Sequence, residues 1–239
     1  MLNAAALPPG TTVIEATSGN TGISLAALSA ERGYRCIITM PENMSRERMD
    51  RMKVYGAQIV LTPAAQGMSG AVALAEKIAG DTPGAYYMDQ FNNPSNPRAH
   101  FTTTGPEIWQ DTAGEVDIFV AGVGTGGTIS GVGKYLKQQN PAIQIVAAEP
   151  ANGSLIPGLG AGFLPKTLDL SVIDAHIAVT EKDARTVSGI TAHRHGLLIG
   201  PSSGAALCAA QRLATEPENQ GKTIVALLPD TGCRYLSEM

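Results

Sequence analysis

Charge is what this sequence has least of. Only 16% of its 239 residues are Asp, Glu, Lys or Arg, against about 25% in an ordinary soluble domain, and 17 basic residues nearly cancel 21 acidic ones to leave a net charge of −4. No basic cluster exceeds a few residues, which excludes the electrostatic footprint of a nucleic-acid binder or of a protein held to an anionic membrane. Cysteine is scarce too: Cys36, Cys208 and Cys233 are far apart and show no C-x-x-C spacing, so zinc and dithiol chemistry are excluded and reduced thiols in a cytoplasmic setting are expected. No apolar run approaches the roughly 20 residues that cross a bilayer. The first ten residues have no basic region and are interrupted by Pro8 and Pro9, unlike a signal peptide. What is present is 44% apolar residues, enough to bury a core and to exclude a disordered polyelectrolyte, and 27 glycines. A small molecule becomes the expected partner.

Periodicity alternates between strand and helix. Thr12 to Glu15 reads as a strand, Thr17 to Asn20 as a polar loop and Thr21 to Gly33 as a helix; Arg35 to Met40 and Gln58 to Leu61 read as strands, Ser45 to Gly56 and Ser69 to Ala79 as helices. Later come a helix through Thr104 to Trp109, the strand Val116 to Val120, the helix Thr128 to Gln139 and the strand Ile143 to Ala148. Two helices, Lys182 to His195 and Ser203 to Ala214, and the strand Thr223 to Leu228 complete the series. This is an α/β protein with parallel sheets. The Pro- and Asn-rich stretch Asn92 to Pro97 divides it into two lobes, 1–94 and 95–239, and the Gly-rich stretch Asn152 to Pro165 reads as a loop. Val13 to Leu25 and Ile118 to Ile129 echo each other, each an apolar strand entering a Gly/Thr-rich turn at a helix start. Such turns at the carboxyl ends of strands are where open α/β sheets bind ligands.

Three loops carry chemistry. Thr17-Ser18-Gly19-Asn20-Thr21-Gly22 offers close backbone approach, hydroxyls and the positive end of a helix, which suits a carboxylate or phosphate and exceeds what a helix cap requires. Gly122-Val123-Gly124-Thr125-Gly126-Gly127-Thr128 matches G-x-G-x-x-G, and Glu149 ends the next strand where a ribose-binding acid would sit, so an NAD-linked oxidoreductase is a rival reading. Thr125 and Thr128 favour a compact cup for a single phosphate monoester. A P-loop is excluded because Tyr135 follows Lys134 where Ser or Thr is required. Gly200-Pro201-Ser202-Ser203-Gly204 satisfies G-x-S-x-G, but the last histidine, His195, precedes the serine, so the hydrolase order fails. Ser202 is then a helix cap or a hydrogen-bond partner of a ligand. His193 and His195 fall on different helix faces, His100 and His176 stand alone, and no metal site is expected. The run from Arg46 to Lys53 reads as a solvated helix face of mixed sign.

Several stretches together resemble the cysteine synthase family, the O-acetylserine sulfhydrylases among the fold type II pyridoxal phosphate enzymes. They are Glu15 to Gly22, Gln90 to Pro97, Thr103 to Trp109, Gly124 to Thr128, Gly158 to Phe163 and Ser202 to Ala205. The resemblance implies the two-lobed tryptophan synthase β-like fold with pyridoxal 5'-phosphate as cofactor. Gly124, Thr125, Gly126, Gly127 and Thr128 would hold the phosphate, Asn20 would contact the ring hydroxyl, and Ser202 would meet the pyridine nitrogen. Thr17, Ser18, Gly19, Thr21 and Gln90 would bind the substrate carboxylate. The implied reaction is β-replacement of O-acetylserine by sulfide, in a homodimer whose cleft also receives the C-terminal tail of serine acetyltransferase.

Two departures from the family accompany the resemblance. The family's Schiff-base lysine lies in a Ser-x-Lys-type segment upstream of the Thr17 loop, and no lysine occurs before Lys53. The sequence therefore assigns no catalytic residue and implies a first lobe incomplete relative to the family, with negligible turnover by this chain alone. Between Gly153 and Ile156 the chain also lacks the Pro-Gly-Pro-His-type stretch of relatives. The competing expectation is a non-catalytic module that binds the cofactor or the acetyltransferase tail.

Overall fold

The computed structural model describes residues 7–238. Its sixteen regular elements, apart from short 3-10 turns, alternate between parallel strands and helices, and the chain divides into two units. The first runs through Gln90 and takes back Ala161–Phe163 and the segment from Cys233 onward; the second comprises Phe91–Gly160 and Leu164–Gly232. The lobes read from the sequence, 1–94 and 95–239, carry neither of these returns.

The first unit contains β1 (Thr12–Ala16), α1 (Asn20–Arg32), β2 (Arg35–Pro41), α2 (Arg46–Val54), β3 (Gln58–Thr62), α3 (Gly67–Asp81) and β4 (Tyr86–Tyr87). Its sheet has the order β3-β2-β1-β4, all parallel. Every residue of β1 is buried, because both faces of the sheet are covered, as parallel sheets require. Alternation along the strand sends Val13 toward Leu25, Ala26 and Met52 of α1 and α2, while Ile14 and Ala16 face Ala71 and Ala75 of α3. That two-sided burial explains why the apolar Val13 and Ile14 are adjacent in β1 rather than alternating with polar residues.

The second unit contains α4 (Ser95–Thr102), α5 (Thr104–Asp111), β5 (Ile118–Gly122), α6 (Gly127–Gln139), β6 (Gln144–Pro150), β7 (Ala175–Val179), α7 (Glu181–His195), α8 (Pro201–Ala214) and β8 (Ile224–Ala226). The order β7-β6-β5-β8 repeats the pattern of the first sheet. Ile118, Val120, Val146 and Ala148 pack against α7 and α8, through Ala184, Ala205, Ala209 and Leu213. Phe119, Ala121, Ile145 and Ala147 pack against Ile129, Val132 and Leu136 of α6.

The order of each sheet matters for function. From β1 the chain steps outward to β2 and β3 and then returns to place β4 on the other side of β1; from β5 it steps to β6 and β7 and returns to β8. Strand order thus reverses beside β1 and beside β5, the positions where open sheets bind ligands beyond their carboxyl ends. The two Gly/Thr-rich turns leave those two strands, so the echo in the sequence corresponds to a repeated topology.

Three elements were not read from periodicity. β4 is two residues long, and β7 is an edge strand whose short alternation follows an irregular stretch. α4 was masked by Pro94 and Pro97, yet Pro97 lies in the first helical turn, where a missing N–H leaves no hydrogen bond unmade.

Close packing makes one glycine decisive for the first unit. A Cβ at Gly22 of α1 would lie 2.7 Å from Thr17 Cγ2 and 2.8 Å from Met52 Cε. Gly22→Ala is expected to lower the thermal unfolding midpoint, since overpacking of about 1–3 kcal/mol exceeds the gain of up to about 1 kcal/mol in helix propensity. An unchanged or raised midpoint would show that α1 can shift to make room.

Candidate functional site

In the first unit the loop leaving β1 is tied down from three directions. Thr17 is buried and its hydroxyl accepts from the Gly19 N–H at 3.2 Å. The Thr21 hydroxyl donates to Gln90 Oε1 at 2.7 Å, and Gln90 Nε2 donates to the Ala16 carbonyl at 2.7 Å. Gln90 follows β4, the strand that returns beside β1, which is how a residue 69 positions away reaches the loop. Asn20 Oδ1 accepts from Arg234 of the returning C-terminal segment. The first turn of α1 has no side-chain cap, so its polar end is turned to backbone and solvent rather than closed off.

Behind this loop lies a cation that the sequence reading misplaces. Arg48 was expected on a solvated face, and it is only 1% exposed. Its Nε donates to Ser45 Oγ at 2.6 Å, its Nη1 donates to the Ser18 carbonyl at 2.7 Å, and its guanidinium lies 4.8 Å from the centre of the Tyr235 ring. The neighbouring Arg46, Glu47, Asp50, Arg51 and Lys53 do lie toward solvent. Arg48 is the one that turns inward, because residues three or four apart share a helix face and Met52 is buried on the same one. A buried guanidinium supports the loop backbone and gives it a positive potential suited to an anion.

The loop also rests on a buried acid. Glu15, at the end of β1, is fully buried; Oε2 accepts from the Gln90 N–H at 3.1 Å, and Oε1 has no hydrogen-bond partner among the described residues. Burial pushes this carboxyl up to about 8, against backbone hydrogen bonds from Gln90 and Ala16 that pull it down. Burial also pushes the Tyr87 phenol up, with the Glu15 and Asp89 charges adding to it, and raises the Cys36 thiol to about 11.

In the second unit the turn from β5 into α6 forms a cup. Gly126 is left-handed, at φ +79°, and caps α6 without a side-chain hydrogen bond. Thr125 Oγ1 accepts from the Gly127 N–H at 3.2 Å and from Asn96 Nδ2 at 2.9 Å; the Thr167 hydroxyl donates to the Thr125 carbonyl at 2.7 Å. A Cβ at Gly127 would collide with the Asn96 amide, and one at Gly124 would lie 2.5 Å from the Gly158 carbonyl oxygen. Gly158, at φ +89°, in turn lies against Ser202: a Cβ there would be 3.7 Å from Ser202 Oγ. The cup, Gly158 and Ser202 are therefore contiguous within one unit. Ser202, the second residue of α8, is 5% exposed and its hydroxyl makes no hydrogen bond among the described residues.

Several other sequence-level candidates are settled by their neighbours. His100 does not stand alone: its ring nitrogens lie 2.9 Å from Thr104 Oγ1 and 3.1 Å from Thr128 Oγ1, and burial lowers its pKa. Nor does His176, whose Nδ1 lies 3.3 Å from Glu149 Oε2. That contact engages the acid which the dinucleotide reading reserves for a ribose. His193 and His195 are exposed, and no metal-binding cluster occurs among the described residues. Of the seven lysines, six are exposed and Lys137 is bound to Asp174 at 2.8 Å. Asn96, Thr167, Arg48 and Arg234 were given no role by the sequence reading; the only advance signal was the presence of Asn96 in a family-like motif.

Comparison with known proteins places these features in a family. A model described as pyridoxal-phosphate dependent enzyme matches residues 1–230. Cysteine synthase A of Escherichia coli is 45% identical over 250 residues, an alignment covering 97% of this chain and 77% of that protein. Cysteine synthase of Staphylococcus aureus is 47% identical over 242 residues, with the same coverage of each. Among solved structures, a cysteine synthase from Entamoeba histolytica matches with a TM-score of 0.90 at 43% identity, covering 97% of this chain and 72% of that one. No helix among the described residues is long and apolar enough to cross a membrane.

The buried acid gives the chain a pH dependence with a definite sign. Glu15 ionises near 4.5 in the unfolded chain and near 8 in the folded one. Below pH 4.5 both states are neutral there and burial carries no ionisation penalty. Between 4.5 and 8 only the unfolded state releases its proton, so stability falls with rising pH by at most roughly 1.4 kcal/mol per pH unit and levels off above 8. Glu15→Gln is expected to flatten the decline in urea-measured stability from pH 5 to 8. An equally steep decline in the variant would show that another group is responsible.

Proposed function

Because this chain belongs to the family of pyridoxal-phosphate dependent enzymes, we propose that its two loops serve a cysteine synthase-type β-replacement, in which O-acetylserine and sulfide give cysteine and acetate. The observation that carries this reading is the contiguity of the Gly124–Thr128 cup, Gly158 and Ser202, a residue only 5% exposed whose hydroxyl makes no hydrogen bond among the described residues. A phosphate monoester with an attached pyridine needs these parts: backbone N–H groups and hydroxyls for the anion, then a neutral hydrogen-bonding group for the ring nitrogen. Once bound, the pyridine ring withdraws electrons from the substrate's α-carbon. A hydroxyl beside its nitrogen, rather than a carboxylate, keeps that withdrawal moderate and suits elimination across the α and β carbons.

Each unit has its own share of the work. In the second, Gly124, Thr125, Gly126, Gly127 and Thr128 hold the phosphate, with Asn96 and Thr167 fixing Thr125, and Ser202 meets the ring nitrogen. In the first, Thr17, Ser18, Gly19, Thr21 and Gln90 bind the substrate carboxylate, supported by the Arg48 charge, and Asn20 contacts the ring hydroxyl. The likeness of these motifs to the family supports these assignments, and the family match favours them over the NAD-linked reading. A homodimer in the cytoplasm and docking of a serine acetyltransferase tail belong to the same proposal.

None of the seven lysines is assigned as the covalent anchor, so residues 1–239 are proposed to hold the cofactor through noncovalent contacts. Incubation with pyridoxal 5'-phosphate followed by borohydride reduction and peptide mapping should give no stoichiometric adduct on any one lysine. A single stoichiometric adduct accompanied by cysteine formation would overturn this. Thr125→Ala should weaken pyridoxal 5'-phosphate binding about tenfold or more, the loss expected when a hydrogen bond to a charged group is removed; unchanged affinity in a fluorescence titration would remove the cup from the site. Specific uptake of a nicotinamide dinucleotide that depends on Glu149 would instead support the rival reading.

A further inference from the structure

His100 occupies the middle of α4, and its ring bridges hydroxyls on two other helices. Nδ1 lies 2.9 Å from Oγ1 of Thr104, the first residue of α5, and Nε2 lies 3.1 Å from Oγ1 of Thr128, in the first turn of α6. The bridge exists because α4 and α6 approach at Gly131, where a Cβ would lie 2.7 Å from His100 Cβ and would collide with the Pro97 carbonyl. The neighbouring ring pair Phe101 and Tyr135, edge to face at 5.7 Å, fixes the same crossing. Burial favours the neutral imidazole.

A neutral imidazole has one N–H and one lone pair, and a threonine hydroxyl has one proton. Two arrangements follow. In the first, the Thr104 hydroxyl donates to Nδ1 and Nε2–H donates to Thr128 Oγ1, so Thr128 keeps its own proton to donate elsewhere. In the second, Thr128 donates its proton to Nε2 and can only accept from anything in the cup. A phosphate dianion offers acceptors alone, so only the first arrangement lets Thr128 bind it through a hydroxyl proton.

We propose that His100 is a positioning residue which, held as the Nε2–H tautomer by Thr104, turns the Thr128 hydroxyl proton into the Gly124–Thr128 cup. The proposal rests on the assignment of that cup to a phosphate monoester. It assigns a role to a group outside the cup, and it explains why a half-buried histidine stands behind a loop that already has glycines and a helix end.

Pyridoxamine 5'-phosphate and pyridoxamine test it on the full chain, since neither carries the aldehyde that would react with a lysine. The wild-type chain should bind the phosphorylated probe at least about tenfold more tightly than the other, the advantage expected of charge-assisted hydrogen bonds. His100→Phe should reduce that advantage about tenfold and move the phosphorus resonance of the bound probe. His100→Gln, whose amide can donate in the place of Nε2–H, should restore most of it. Nitrogen–proton NMR of the wild-type chain with the probe bound should show the Nε2–H tautomer, a readout that does not depend on any variant folding. The Nδ1–H tautomer, or an undiminished phosphate advantage in a folded His100→Phe chain, would overturn the proposal. If the wild-type chain fails to distinguish the two probes, the phosphate assignment itself falls and the relay with it.

Discussion

The second unit depends on a close approach of backbone to backbone. At Gly124 there is no room for a side chain, because the Gly158 carbonyl oxygen stands where a Cβ would press against it. This contact draws the loop around Gly158 onto the turn that leaves β5 and sets it against Ser202. Gly126 adopts a left-handed conformation that only glycine takes without strain, which opens the first turn of α6. The hydrogen bonds from Asn96 and Thr167 then lock Thr125 in place. Without the two unsubstituted positions the turn from β5 into α6 could not keep this close-packed shape.

The first unit reaches a comparable end by different means. Its loop is held by a buried cation and a buried acid: Arg48 grips the Ser18 carbonyl, and Glu15 receives the Gln90 N–H. Isolated buried charges are costly. Arg48 offsets that with hydrogen bonds and with the Tyr235 ring face, whereas Glu15 does so by holding its proton. The loop backbone therefore rests on a buried positive charge at the Ser18 carbonyl.

Both sheets reverse their strand order beside the strand that leads into the Gly/Thr-rich turn. In the first, this brings Gln90 from beyond β4 to Thr21; in the second, it places β8 beside β5, so that the Asp230 backbone carbonyl beyond β8 accepts from the Ser203 hydroxyl of α8. A second use of one topology accounts for the internal echo between Val13 to Leu25 and Ile118 to Ile129 without requiring the same ligand in each.

The strand–helix alternation, the parallel sheets and the three glycine- and hydroxyl-rich loops were legible in the sequence, because they depend on local periodicity and on residues adjacent in the chain. Three elements were not: β4 is too short for a pattern, β7 lies at an edge, and Pro97 disguised the first turn of α4. The inward turn of Arg48, the proton on Glu15 and the link from His100 to Thr128 were likewise illegible. Each depends on which side chains from distant segments exclude water around it, and a linear pattern of charges reads such a residue as exposed or solitary. The sequence alone determined which backbone could come close to a ligand; the tertiary structure decided which charges and hydroxyls stand behind that backbone, because burial and hydrogen-bond direction arise only when the segments meet.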